Sequence, residues 1–143
     1  MSATPSTETV SLELEDIQRG VLHPRPSPYA GTYLLLRIDD RRAGREFVRR
    51  LLPTIASAGS SRTQAQDGSV SVAFTSQGLR ALGVPNDSVE SFAPEFRQGM
   101  AARAVELGDR GESSPDNWEK PLGSPGVHVA LAALSSDTTR LEA

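Results

Sequence analysis

Three apolar runs of strand length restrict the fold more than any other feature: "TYLLLRI" at Thr32–Ile38, "VSVAFT" at Val70–Thr75 and "VHVALAAL" at Val127–Leu134. In the first, β-branched, aromatic and aliphatic residues leave too few polar positions for a strand wetted on one face, which predicts a central strand. In the second, Val70, Val72 and Phe74 alternate with Ser71, Ala73 and Thr75, the period of two that turns one face inward. Between them, Phe47, Val48, Leu51, Leu52, Ile55 and Ala56 recur at three- and four-residue spacing, with Arg42, Arg45, Arg49 and Arg50 on other faces. That pattern predicts an amphipathic helix. Asp39 and Asp40 are placed to cap it, and Pro53 predicts a kink or an end at Leu52, because proline lacks a donor and its ring meets the carbonyl four residues back.

The second and third runs are separated by a long excursion, Ser76 to Gly126. "SQGLRALG" carries a capping Ser76 and a terminal Gly83 with Pro85 beyond it, and "DSVESF" pairs Asp87 with Glu90 in the spacing of a capping box, so both predict short helices. "APEFRQGMAARAVELG" starts with Pro94, stacks Phe96, Met100 and Ala104 four residues apart, and stops at Gly108. It predicts one continuous helix. Asp109 to Gly126 holds three Gly and three Pro, with Trp118 as its one large apolar anchor, and predicts a loop. After the last run, Ser135, Ser136 and Asp137 are helix-capping residue types, and Thr138 to Ala143 would be the first turn and a half of a further helix. At the other end, residues 1–13 predict a disordered leader, Ser/Thr-rich through Thr9, and 14–143 a single domain.

At 143 residues with a net charge of −3, the chain suits one modest core and lacks the basic patch that nucleic-acid binders display. Without cysteine, disulfides, thiolate metal sites and cysteine catalysis are excluded, which leaves His23 and His128 as the only imidazoles. Neither has an acidic companion at metal-ligand spacing, and both are expected to be structural. The N-terminus has no basic and apolar signal regions and no segment reaches bilayer-spanning length, so a cytoplasmic protein without membrane contact is expected. The pairs Arg41-Arg42 and Arg49-Arg50 resemble a twin-arginine export signal only outside its proper context, and are expected to be a solvated helix face.

Catalytic motifs are sparse. There is no G-x-S-x-G elbow, no phosphate-cradling glycine loop, and the single lysine, Lys120, falls in the loop. Glu13 with Glu15, and Asp39 with Asp40, are better suited to solubility and capping than to paired acid-base work. By motif alone the chain declares no reaction.

Taken in order, "LEDIQRGVL", "YLLLRIDD" with its arginine-rich helix ending "LLP", "VSVAFTSQGLRALGVP", "FRQGMAARAVELGD", "SPDNW" and "GVHVALAAL" resemble the N-terminal part of DyP-type (dye-decolorizing) haem peroxidases. The resemblance covers nearly everything from Leu14 onward. It implies an α+β fold of two ferredoxin-like halves, each an antiparallel sheet packed by helices, of which this chain would hold the first half, truncated after its third strand. The implied cofactor is haem, and the implied partners are hydrogen peroxide, a dye-like or phenolic electron donor, and a missing C-terminal half or a second copy of the chain. The family's G-x-x-D-G motif, haem-side arginine and proximal histidine find no match: "QAQDG" at Gln64–Gly68 lacks the first glycine and reads as a turn, and "GDRGE" at Gly108–Glu112 does not fit. No catalytic, cofactor-binding or metal residue is therefore expected in this chain, which should be inactive alone. The alternative is a non-enzymatic ferredoxin-like interaction or dimerisation module that uses an open sheet edge.

Overall fold

The computed structural model describes residues 11–25, 27, 29–60 and 69–137. A short helix α1 (Arg19–Leu22) precedes strand β1 (Ala30–Leu36), helix α2 (Arg41–Leu51) and strand β2 (Ser69–Phe74). Then come helices α3 (Ser76–Ala81), α4 (Asn86–Glu90), α5 (Pro94–Ala102) and α6 (Ala104–Leu107), and finally strand β3 (Val129–Ser135). The expected helix over Thr138 to Ala143 and the look-alike motif at Gln64–Gly68 lie outside the described residues, while of the expected caps Ser135 ends β3 and its Oγ accepts the Asp137 N–H at 3.0 Å.

The strands form one antiparallel sheet in the order β1-β3-β2. The last strand in sequence therefore lies between the first two, the split arrangement of a ferredoxin-like α+β unit. This corrects the reading of Thr32–Ile38 as a central strand. β1 starts two residues earlier, ends at Leu36 and forms an edge among the described residues, where its apolar run is not enclosed: Tyr33 is 61% and Leu34 49% exposed. An apolar run of strand length does not by itself distinguish an enclosed strand from one bare on a side. The central place belongs to β3, where Val129, Leu131 and Ser135 are buried.

Local signals account for much of the helical structure. Asp40 caps α2, its Oδ1 accepting the Ala43 N–H at 2.7 Å, and α2 gives way to a 3-10 turn at Leu52–Thr54 around Pro53, as that proline predicts. α3 ends in a Schellman closure, with Gly83 and Val84 donating to the carbonyls of Arg80 and Leu79. Three expectations are corrected. The cap of α3 is Thr75, whose Oγ1 accepts the Gly78 N–H at 3.0 Å, whereas Ser76 is buried inside the first turn and donates to the Arg97 carbonyl. Asp87 and Glu90 form no capping box, because Asp87 lies within α4 and the Glu90 carboxylate faces two arginines. The helix from Pro94 is broken by Gly99 at φ 75°, ψ 170°, a backbone conformation open to glycine, so Met100 turns outward and is 65% exposed.

The small core gathers Ala58, Leu82, Val89, Val129 and Leu131. α2 approaches α3 through Gly44, where a Cβ would meet Ile38 and Leu82. α3 lies still closer to β3: a Cβ at Gly78 would strike the His128 carbonyl group, its carbon lying 2.7 Å away. Glycine is required there by the approach of helix to strand backbone. Among the described residues no helix is long and apolar enough to cross a membrane.

Candidate functional site

The two histidines are the natural starting point, and each makes a hydrogen bond to the backbone. His23 follows α1 and sets its Nε2 2.8 Å from the Ala58 carbonyl. A carbonyl only accepts, so this nitrogen carries the proton, and in the neutral ring the lone pair lies on Nδ1. His128 enters β3 with Nδ1 accepting the Ile38 N–H at 2.9 Å, while its backbone N–H donates to the Leu36 carbonyl and its carbonyl accepts the Thr75 N–H. In the neutral ring, Nε2 then bears the proton. Thr75 completes this joint by donating its hydroxyl to the Val127 carbonyl at 2.8 Å. The ends of β1, β2 and the start of β3 are thus tied together by His128 and Thr75, a structural joint of the kind expected for a half-buried histidine.

The arginines of α2 line an open depression of about 600 Å³, formed by Asp40, Arg41, Arg42, Arg45, Glu46 and Arg49. Most of its charged groups are already engaged. Arg45 donates to the carbonyls of Leu82 and Gly83, closing the C-terminus of α3, and Glu46 accepts from both Arg49 and Arg50. The sequence foresaw a solvated basic face but not that Arg45 would cap another helix, since that contact spans 37 residues of sequence.

A second charged group was not foreseen. Glu90 accepts from Arg80 at 2.7 Å and from Arg97, and Arg80 also donates to Asn86 at 3.0 Å, so α3, α4 and α5 share one ion network. Hydrogen bonds from Arg80 and then Arg97 hold the Glu90 carboxyl below its ordinary range. Spacings of ten and seven residues across helix breaks carry no periodic signal. The other residues considered from sequence are dispersed: Glu15 accepts the Ser57 hydroxyl, Asp39 pairs with Arg37, and Gly108 ends α6. Glu13 and Lys120 lie exposed in different regions.

A haem does not fit these residues. No histidine lines the depression, whose walls of arginines and acids offer no apolar faces to a porphyrin, and His128 has no free lone pair for iron. Among the described residues no three His, Cys, Asp or Glu converge as a metal site.

The sequence matches the family described as the DyP dimeric alpha+beta barrel domain over residues 16–143. Among solved structures, the chain is similar to an ancestral D-type dye decolorizing peroxidase at 25% identity and a TM-score of 0.76, covering 93% of this chain and 29% of that one. It is similar to a fungal DyP-type peroxidase from Auricularia auricula-judae at 26% identity and a TM-score of 0.70, covering 94% and 29%. It also shares its fold with a dye-decolorizing peroxidase in complex with 2,6-dimethoxyphenol, at 22% identity and a TM-score of 0.73, covering 92% and 29%. The chain thus spans less than a third of the length of these structures. No curated protein matches the sequence.

Proposed function

Since the chain belongs to the family of the DyP dimeric alpha+beta barrel domain, we propose that it supplies the N-terminal scaffold of a haem-dependent peroxidase and has no peroxidase activity alone. In the parent reaction, hydrogen peroxide drives oxidation of dye-like or phenolic donors; the phenol held by one structural neighbour supports that donor class. Residues 14–143 act in this reading as one ferredoxin-like domain behind a leader of residues 1–13, in the cytoplasm, and none of its residues is catalytic. The haem ligand and the G-x-x-D-G aspartate come from further polypeptide. The observations that support the reading are the family match over residues 16–143 and a depression lined by arginines and acids, which gives a porphyrin no apolar walls.

Haemin titration of the purified chain tests it. The expected result is a broad, ligand-insensitive Soret band with no peroxide-dependent dye oxidation. A sharp band that shifts with added cyanide, together with dye turnover, would overturn the proposal.

A second reading, a non-enzymatic ferredoxin-like module, is favoured by one feature: β1 has no strand on its outer side among the described residues. Such an edge offers unpaired N–H and C=O groups to another chain.

A further inference from the structure

We propose that the depression along α2 is a binding site for a linear polyphosphate anion, held by Arg41, Arg42, Arg45 and Arg49. The inference goes beyond the scaffold reading and does not depend on it. Four of the six residues lining the depression are arginines and two, Asp40 and Glu46, are acids, so its wall carries an excess of two positive charges while the chain as a whole carries −3. Both acids are already engaged. Asp40 Oδ1 accepts the Ala43 N–H that caps α2, and the two oxygens of Glu46 accept from Arg49 at 2.5 Å and Arg50 at 2.9 Å. Arg41 and Arg42 have no acceptor among the described residues. Like charges three or four residues apart on a helix repel, and Arg41 with Arg45, Arg42 with Arg45, and Arg45 with Arg49 stand at those spacings. A bound anion relieves that repulsion.

Two of the four guanidinium groups are set in place before any ligand arrives. Arg45 donates from Nε to the Leu82 carbonyl at 2.7 Å and from Nη2 to the Gly83 carbonyl at 3.2 Å. Arg41 lies against Gly83, where a Cβ would come within 2.8 Å of its Nε, so a glycine at φ 75° leaves the guanidinium its room. Both therefore rest on the C-terminal end of α3, whose partial negative charge favours cations, and less side-chain freedom is lost when an anion docks on them.

The layout also selects among anions. Arginine presents a planar fork that meets two phosphate oxygens at once. Arg42 and Arg49 are seven residues apart, about 10 Å along the helix axis, so a single phosphate reaches one end of the row and a chain of phosphoryl groups spans it. A nucleotide carries such a chain too, but none of the lining residues is aromatic or aliphatic, and a base finds nothing to stack on. The site reads the phosphate chain and not a nucleoside.

Titration calorimetry of the full chain with orthophosphate, pyrophosphate, tripolyphosphate and ATP tests the proposal. We expect saturable one-to-one binding of tripolyphosphate, roughly tenfold tighter than orthophosphate and weakened by added salt, with ATP no tighter than tripolyphosphate and with NMR amide shifts centred on α2. Arg42→Glu, at an exposed position, should weaken tripolyphosphate binding roughly tenfold with an unchanged melting curve, and Arg41→Ala about threefold. Arg110→Glu makes the same change of charge at an exposed position outside the depression, and should weaken binding by about twofold or less. Equal losses from Arg42→Glu and Arg110→Glu would reduce the effect to net charge and overturn the site. Equal affinity for orthophosphate and tripolyphosphate overturns the spanning ligand, and tighter binding of ATP than of tripolyphosphate overturns the choice of a free polyphosphate over a nucleotide. Absence of saturable binding at low salt, by heat and by amide shifts alike, overturns the proposal outright.

Discussion

Both outer strands of this sheet are hydrogen-bonded to β3, yet their free sides are finished in opposite ways. On β2, one glutamine satisfies both backbone groups of Val72, and α1 lies against the same strand, with Gly20 directly on the Ser71 side chain. On β1, an uncharged run with Tyr33 and Leu34 exposed faces outward without a partner among the described residues. The difference teaches that hydrophobicity does not locate the protected edge. The more apolar strand is the bare one, and the sealed edge is secured by a polar side chain 54 residues away in sequence.

The sharpest way to break the contrast is to destroy both edges together. Gly78→Val drives a branched side chain into the His128 carbonyl and separates α3 from the start of β3, so a loss of about 3 kcal/mol is expected by urea denaturation, enough to leave much of the chain unfolded. Next, Gln18→Ala should make β2 resemble β1. It strands the N–H and C=O of Val72, for a loss of about 2 kcal/mol, and the Val72 amide should lose its protection from hydrogen exchange. His128→Ala acts on the β1 side alone, removing the acceptor of the Ile38 N–H, and about 1 kcal/mol should be lost with β2 exchange unchanged.

The smallest effect leaves both edges alone and serves as the control. Because the folded Glu90 carboxyl titrates below its ordinary value near 4.5, its contribution is fully present above that value and is lost as pH falls through the lowered folded one. Glu90 is about half exposed, so solvent screens the effect. The urea midpoint of the parent should fall slightly more steeply than that of Glu90→Gln on the acid side, and a difference that persists at neutral pH without this acid limb would contradict the assignment.

Several elements were legible because their causes are local. The alternation in Val70–Thr75, the spacing of the apolar residues in α2, the Asp40 cap and the break at Pro53 all act within a turn or two, and each appears where the sequence places it. The match of ordered segments likewise revealed the family, and with it the α+β fold. The misreadings also share a cause. Gly99 looked like a tolerable helix residue until its positive φ broke α5, and Glu90 looked like a cap until Arg80 and Arg97 claimed it. The backbone partners of the two histidines, the carbonyl of Ala58 and the amide of Ile38, could not be named from the sequence.

The sequence by itself determined where the chain extends or coils, which local caps close its helices, and that no cysteine or phosphate-loop chemistry is available to it. Tertiary structure alone decided that β3 lies between β1 and β2 and that Gln18 occupies the outer backbone groups of Val72. The reason is physical: periodicity and capping are settled by neighbours along the chain, whereas strand order and edge protection depend on which distant backbone groups find each other once the sheet has assembled.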